Sequence, residues 1–179
     1  MRHIKRIEHE VILLQQHYGS TYDATQCYND IYKKSLLKPC KTVYIPANDD
    51  VQCHYVLHFP YDYPFYPCEL YLLKNGDFGN KQNYITILKS HYVDILNLTQ
   101  KYGYLKLSDC LCCPCCVSLS CNWEPNKKAI YLIEEYNNTR NIYKKIKHKL
   151  MIAFIFRSLF SQKFDLCCDN VVSELIELI

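Results

Sequence analysis

Hydrophobic residues near the start of the chain recur at the spacing of a helix. Residues 4–16 read IKRIEHEVILLQQ, in which charged and polar residues separate the apolar ones. Because residues three and four positions apart share one face of a helix, this pattern predicts an amphipathic first helix. Its apolar positions are Ile4, Ile7, Val11 and Leu14.

Strand patterns follow in the next part of the chain. Lys41–Ile45 and Gln52–Phe59 are rich in β-branched and aromatic residues, and the sequence PANDD between them is typical of a turn. A further strand, Glu69–Leu73, comes after three closely spaced prolines. Since proline cannot donate to a strand ladder, residues 60–67 are predicted to form an extended loop. This order of segments predicts an antiparallel meander.

The second half of the chain is predicted to be mainly helical. Tyr84–Leu98 is predicted to begin as a strand and to continue as a short helix. Residues 129–136 and 142–160 predict two further helices, separated by a polar junction at Asn137–Asn141. Residues 169–179 again place their apolar residues on one side.

Length and charge exclude several classes of protein. The 179 residues correspond to one domain, and the net charge of +3 is too small for the concentrated basic face of a nucleic-acid-binding protein. The longest apolar run, Leu150–Phe156, is shorter than the roughly 20 residues of a membrane span. Arg2, His3, Lys5 and Arg6 are not followed by the apolar segment of a signal peptide. We therefore expect no nucleic-acid partner and no membrane span.

The chain contains twelve cysteines, three pairs of which are adjacent in the sequence. This spacing is poor for a disulfide scaffold, and the helical and strand patterns can build a core without disulfides. We expect reduced thiols and a cytoplasmic or nuclear location. Six cysteines far from the cluster at residues 110–116 are expected to be small buried apolar residues. These are Cys27, Cys40, Cys53, Cys68, Cys167 and Cys168.

Three sequence features stand in a suggestive order. His58–Pro67 reads HFPYDYPFYP, Cys110–Cys116 reads CLCCPCC, and Trp123–Pro125 reads WEP. Together they resemble the ubiquitin-conjugating (UBC) enzymes, whose Phe-Pro and Tyr-Pro loop, catalytic cysteine and W-x-P motif follow one another in this order. The first helix is similar too, with Lys5, Arg6, Ile7 and Glu10 in the family's K-R-I-x-x-E pattern.

The resemblance implies an α+β fold with an N-terminal helix, a four-stranded antiparallel meander and C-terminal helices. It implies a UBC-like domain over residues 1–136, and we expect residues 137–179 to be a helical extension packed on the same domain. It also implies that the chain accepts ubiquitin or a relative from an activating enzyme as a cysteine thioester, and passes it to lysine with a RING-type ligase. No cofactor is implied.

The resemblance leaves three candidates for the nucleophile. Counting back from Trp123 by the usual family interval leads to Cys115, whereas the family's Cys-Leu dipeptide matches Cys110. UBC-like proteins of large DNA viruses are similar in having a C-L-C-C block before N-W-x-P, which favours Cys110 or Cys112. We rank Cys110 first, Cys112 second and Cys115 third.

One family motif is missing. The family has a His-Pro-Asn shortly before the nucleophile, and its Asn stabilises the oxyanion that forms when lysine attacks. This sequence has no His-Pro-Asn, and Asn97 is the nearest upstream asparagine. Because losing one oxyanion donor typically costs about 100- to 1,000-fold in rate, we expect slow transfer to lysine unless another group substitutes.

Two alternatives to the enzyme remain. The chain can be a catalytically inactive binding module of the same fold. It can also be a cysteine-rich interaction domain stabilised by zinc, since Cys112 and Cys115, like Cys113 and Cys116, form C-x-x-C pairs. Structural zinc sites normally use two such pairs separated by a longer loop, which weakens the zinc interpretation.

The resemblance also implies surfaces for partners. Phe65, Pro125 and Asn126 would contact a RING ligase, and Lys5 and Arg6 would face the activating enzyme. Farther on, Lys144–Lys149 reads KKIKHK and precedes an apolar run. Such a stretch can bind a membrane surface, but it is more often a helix whose buried side comes later.

Overall fold

The computed structural model describes residues 2–19, 22–23, 41–46, 53–74, 81–102, 119 and 122–161. The chain divides into two compact units. The first contains Met1–Ile87 and Cys113–Asn137, and the second contains Leu88–Cys112 and Asn138–Ile179. The second unit thus includes the predicted C-terminal extension together with residues that the sequence analysis assigns to the UBC-like domain. That the extension packs on this domain stays a prediction.

The first unit has the predicted order of a helix followed by an antiparallel meander. Helix α1 covers Arg2–Tyr18. Five strands form one sheet in chain order, every neighbouring pair antiparallel. They are β1 (Tyr22–Asp23), β2 (Lys41–Pro46), β3 (Cys53–Phe59), β4 (Glu69–Lys74) and β5 (Gln82–Asn83). The α+β class and the antiparallel meander are confirmed. The described sheet has five strands where four were predicted, and its two edge strands, β1 and β5, have two residues each.

Both faces of the central sheet are buried. One face carries alternate residues of β2 and β3, including Val43, Ile45 and Leu57, and α1 packs against β2. The opposite face has its own cluster of Tyr44, Val56 and Leu73. A sheet buried on both sides has nearly continuous apolar strands, which explains why YVLHF in β3 lacks a clear polar alternation.

Helix α1 uses only part of its predicted apolar stripe. Ile7 and Leu14, one heptad apart, are buried, whereas Ile4 is about half exposed. Between the two buried residues lies Glu10, which is also buried and whose partners are described below.

The predicted strand at the start of Tyr84–Leu98 is wrong. Helix α2 begins at Tyr84 and continues to Tyr102. Asn83 caps it, because its Oδ1 accepts a hydrogen bond from the Ile85 N–H at 2.9 Å. The β-branched residues that suggested a strand lie in the first turn of the helix, where the cap outweighs their modest preference.

The predicted break at Asn137–Asn141 is also wrong. Helix α3 runs without interruption from Ile130 to Ser161. The sequence NNTRN contains neither proline nor glycine, so nothing in it forces the helix to end. Asn137 instead accepts a hydrogen bond from the Tyr55 hydroxyl at 2.8 Å. In the described part of the chain, no helix is both long and apolar enough to cross a membrane.

Candidate functional site

The loop after β3 is built around Tyr63. Three backbone hydrogen bonds stabilise its turns. The Tyr63 N–H donates to the Pro60 carbonyl, and the N–H groups of Phe65 and Tyr66 donate to the Asp62 carbonyl. The Tyr63–Pro64 peptide bond is cis. The Tyr63 ring is buried and packs edge-to-face on Phe59, with ring centroids 5.1 Å apart. Burial raises the pKa of its hydroxyl.

This loop is joined to the WEP segment. The indole Nε1–H of Trp123 donates a hydrogen bond to the Pro64 carbonyl at 2.7 Å, across 59 residues of sequence. The Trp123 ring also lies 6.1 Å from the ring of Tyr63, centroid to centroid. The two motifs that the sequence analysis connected only by resemblance are therefore neighbours in the first unit.

The joined loops present exposed side chains. Phe65 is 75% exposed, Tyr66 is 63% exposed and Tyr61 is 61% exposed. Pro125 and Asn126, at the end of the other loop, are exposed as well. We call Tyr61, Phe65, Tyr66, Pro125 and Asn126 the paired-loop surface. Exposed aromatic side chains beside prolines suit a protein interface, where such residues serve as anchors.

Helix α1 is tied to the second of these loops by Arg6 and Glu10, which form a partly buried ion pair on the helix. The Arg6 guanidinium lies 2.8 Å from Glu10 Oε1, and the Ala129 N–H donates to Glu10 Oε2 at 3.0 Å. Arg6 also donates to the Lys127 carbonyl at 3.3 Å. Glu10 is only 1% exposed, so its charge depends on these partners.

These contacts give different roles to Lys5 and Arg6, the two residues expected to face the activating enzyme. Lys5 is exposed and available to a partner, whereas the partly buried Arg6 holds the loop in place. The sequence gives a signal for this role of Arg6, because Glu10 stands between Ile7 and Leu14 on the buried face of α1. A carboxylate on an apolar face needs a cation nearby.

Leu119, which follows the cysteine cluster in the sequence, is held by Glu135 of α3, a residue that the sequence analysis missed. Glu135 Oε1 accepts a hydrogen bond from the Leu119 N–H at 2.9 Å, and its Oε2 accepts one from the Tyr84 hydroxyl at 3.2 Å. Burial raises the pKa of Glu135, and these two donors oppose the rise. Leu119 lies three residues after Cys116 in the sequence.

The predicted nucleophiles lie outside the described residues. This holds for Cys110, Cys112 and Cys115, and for the whole cluster from Cys110 to Cys116. Asn97 is exposed on α2, in the second unit. Its role as an oxyanion donor and the choice among the cysteines stay predictions. Within the described ranges, no group of three or more His, Cys, Asp or Glu residues could hold a metal ion.

Cys68 is a buried cysteine, as predicted. It is 1% exposed, and burial raises the pKa of its thiol. Because the thiolate is the reactive form, this cysteine is not a nucleophile.

A polar cluster that includes the buried side chains of Thr42 and His58 lies on the sheet face that carries Tyr44 and Val56. His58 Nδ1 is 2.9 Å from Thr42 Oγ1, and His58 Nε2 is 3.0 Å from Lys81 Nζ. Because Lys81 can only donate, Nε2 accepts and Nδ1–H donates to Thr42. Burial, together with the Lys81 charge, lowers the pKa of His58 to about 3. His58 is therefore neutral and structural.

Comparisons with known proteins add nothing to this description. No family model matches the chain, and neither a curated protein nor a solved structure matches it.

Proposed function

We propose that the chain is a divergent UBC-like protein that carries ubiquitin, or a ubiquitin-like protein, as a cysteine thioester. The observation that carries this proposal is the hydrogen bond from Trp123 to the Pro64 carbonyl. It joins the two loops whose sequences resemble the family's motifs. The sheet can form without contact between the two loops. Their contact therefore supports the proposal that they form one shared interface.

The surrounding fold supports the same proposal. An N-terminal helix precedes an antiparallel meander, and α3 begins five residues after the WEP segment ends. Glu10 connects the N-terminal helix to the backbone just before α3. This is the order of elements that the resemblance implies.

The chemistry requires one thiolate from the cysteine cluster. In the first step, the thiolate attacks the thioester carbonyl of the charged activating enzyme, and the cysteine of that enzyme leaves as a thiolate. In the second step, a lysine amine attacks the new thioester, an isopeptide bond forms, and the thiolate of this chain is released. We propose Cys110 first, then Cys112 and Cys115, as the nucleophile, and Asn97 as the candidate oxyanion donor.

The partners follow from the surfaces. We propose that the paired-loop surface binds a RING-type ligase through Phe65, with Pro125 and Asn126 beside it. Lys5 on α1 is the proposed contact to the ubiquitin-activating enzyme, with Arg6 contributing mainly to the loop beneath. Reduced thiols would place the reaction in the cytoplasm or the nucleus.

Charging the purified chain tests the proposal. The chain is incubated with activating enzyme, ATP and ubiquitin, and the products are separated with and without reductant. We expect an adduct that reductant removes, and its loss when the nucleophilic cysteine alone is replaced by alanine. The same replacement at the other two candidates serves as the matched control.

An inactive binding module is the second candidate, and the absent His-Pro-Asn favours it. It predicts no thioester under any condition but retained binding of ubiquitin or of a ligase. Stoichiometric zinc in the purified chain would instead support a zinc-stabilised interaction domain.

A further inference from the structure

The second half of α3 carries a solvent-exposed stripe that changes from basic to apolar along the helix. Lys144, His148, Met151, Ile155 and Leu159 are spaced by three or four residues, so they share one face. Met151 is 50% exposed, Ile155 is 52% exposed and Leu159 is 58% exposed. We call these five residues the α3 stripe.

The opposite side of the same helix is buried within the second unit. Tyr143, Leu150 and Ala153 are each less than 5% exposed. The Tyr143 ring packs edge-to-face with His91 of α2, with ring centroids 6.0 Å apart. The helix therefore has its buried side elsewhere. The apolar part of the α3 stripe is a second apolar face, which is exposed to solvent.

The charge of this half of the helix is uniformly positive. Residues 142–161 contain five cationic side chains and no aspartate or glutamate, whereas the whole chain has a net charge of only +3. The cations are Lys144, Lys145, Lys147, Lys149 and Arg157. The natural complement of such a segment is an anionic surface.

We propose that this half of α3 binds the surface of an anionic phospholipid bilayer, lying in the plane of the interface. Met151, Ile155 and Leu159 enter the boundary between head groups and acyl chains, and Lys144 and Lys147 contact lipid phosphates. Long lysine side chains can reach the head groups while the helix lies at this depth.

Two observations favour lipid over a protein partner. Lysine is depleted at protein interfaces, whereas four lysines lie within six residues here. The apolar part of the α3 stripe consists of Met, Ile and Leu, without the Trp, Tyr or Arg anchors that dominate protein interfaces. Basic residues with aliphatic neighbours are typical of interfacial helices.

Vesicle flotation of the full chain tests this inference without any ubiquitin reagent, so its outcome is independent of the proposed thioester activity. We expect binding to phosphatidylcholine vesicles that contain phosphatidylserine, weakening with added salt, and no binding to pure phosphatidylcholine. Replacing Lys144 and Lys147 by glutamine should weaken binding by roughly fivefold per lysine. Ile155→Asp should abolish it.

Matched variants elsewhere provide the controls. Ile12→Asp on α1 changes an isoleucine whose exposure is similar to that of Ile155, and Lys74→Gln removes a lysine at the end of β4. Both should bind vesicles like the unchanged chain. The inference is overturned if neither vesicle binds, if Ile155→Asp binds as well as Ile12→Asp, or if sedimentation shows that the α3 stripe joins two copies of the chain. Thermal melts of all variants verify that they are folded.

Discussion

Glu10 connects the first helix to the loop before α3 through two atoms of one side chain. Its Oε1 pairs with Arg6 and its Oε2 accepts the Ala129 N–H. We predict that Glu10→Ala lowers the free energy of unfolding by about 2 kcal/mol, because it leaves a buried backbone donor unpaired and removes the charged partner of Arg6.

Urea denaturation measures this change. Glu8→Ala is the control, since Glu8 is exposed on the same helix and its loss should change stability by less than about 0.5 kcal/mol. Equal effects of the two substitutions would show that the buried ion pair does not hold the loop.

His58 gives the fold a defined sensitivity to acid. The pKa of His58 is about 3 in the folded chain, whereas its ordinary value is 6.5. As the pH falls, His58 is therefore protonated in the unfolded chain before it is protonated in the folded chain. The contribution of neutral His58 to the free energy of unfolding is therefore fully present above pH 6.5. It is lost as the pH falls towards 3, by at most about 1.4 kcal/mol per pH unit.

We predict that His58→Gln reduces this pH slope between pH 6.5 and 4.5, measured as the free energy of unfolding at successive pH values. His148→Gln, which changes an exposed histidine of α3, should keep the slope of the unchanged chain. A His58→Gln variant with an unaltered slope would mean that His58 is not kept neutral by burial.

At the scale of elements, the sequence predicted the meander well because its signals are local. β2 and β3 are rich in aromatic and β-branched residues, β4 is rich in leucine, and prolines or the turn-forming sequence PANDD stand between them in the sequence. The errors have local causes too. The start of α2 depends on the Asn83 cap, and the continuity of α3 depends on the absence of a breaker in a polar stretch.

The site was less predictable than the sheet. The motifs indicated Phe65 and Pro125, but no local pattern could reveal that Trp123 donates to the Pro64 carbonyl or that Glu135 holds Leu119. Both contacts join segments that are far apart in the sequence, and periodicity carries no information about them. Glu10 is an exception, because a carboxylate on an apolar face signals a buried partner.

Glu135 offers a test of how α3 supports the cysteine-rich segment. Removing its carboxylate takes away the acceptor of the Leu119 N–H and of the Tyr84 hydroxyl. We predict that Glu135→Ala slows thioester formation by roughly 10- to 100-fold, since misplacement of a reacting group by about 1 Å has effects of this size.

The neighbouring Glu134 is exposed on the same helix, and Glu134→Ala should charge at the normal rate. Single-turnover charging measures both variants. If Glu135→Ala charges normally while remaining folded, the anchor is irrelevant to the reaction.

At the scale of the whole molecule, the paired-loop surface should serve the ligase and not the fold. Phe65 is 75% exposed, so Phe65→Ala should change stability by less than about 0.5 kcal/mol. An interface anchor contributes about 2 kcal/mol to the free energy of binding. Loss of the Phe65 side chain should therefore weaken binding of a RING-type ligase by roughly 30-fold.

Titration of ligase against the purified chain measures this effect. Val93→Ala, which truncates an exposed apolar residue of α2, is the matched control and should bind normally. Charging by the activating enzyme should be unchanged in both variants. A Phe65→Ala variant that binds the ligase normally would remove the paired-loop surface from the proposed interface.

The central claim is that a cysteine of the cluster carries the modifier, and intact-mass spectrometry of a charging reaction tests it most directly. The unchanged chain should gain the mass of one ubiquitin, less one water, and lose it on treatment with reductant. A variant with Cys110, Cys112 and Cys115 all replaced by alanine should gain nothing. An unchanged chain that never gains this mass with ubiquitin or a ubiquitin-like protein, or a triple variant that still gains it, would contradict the account.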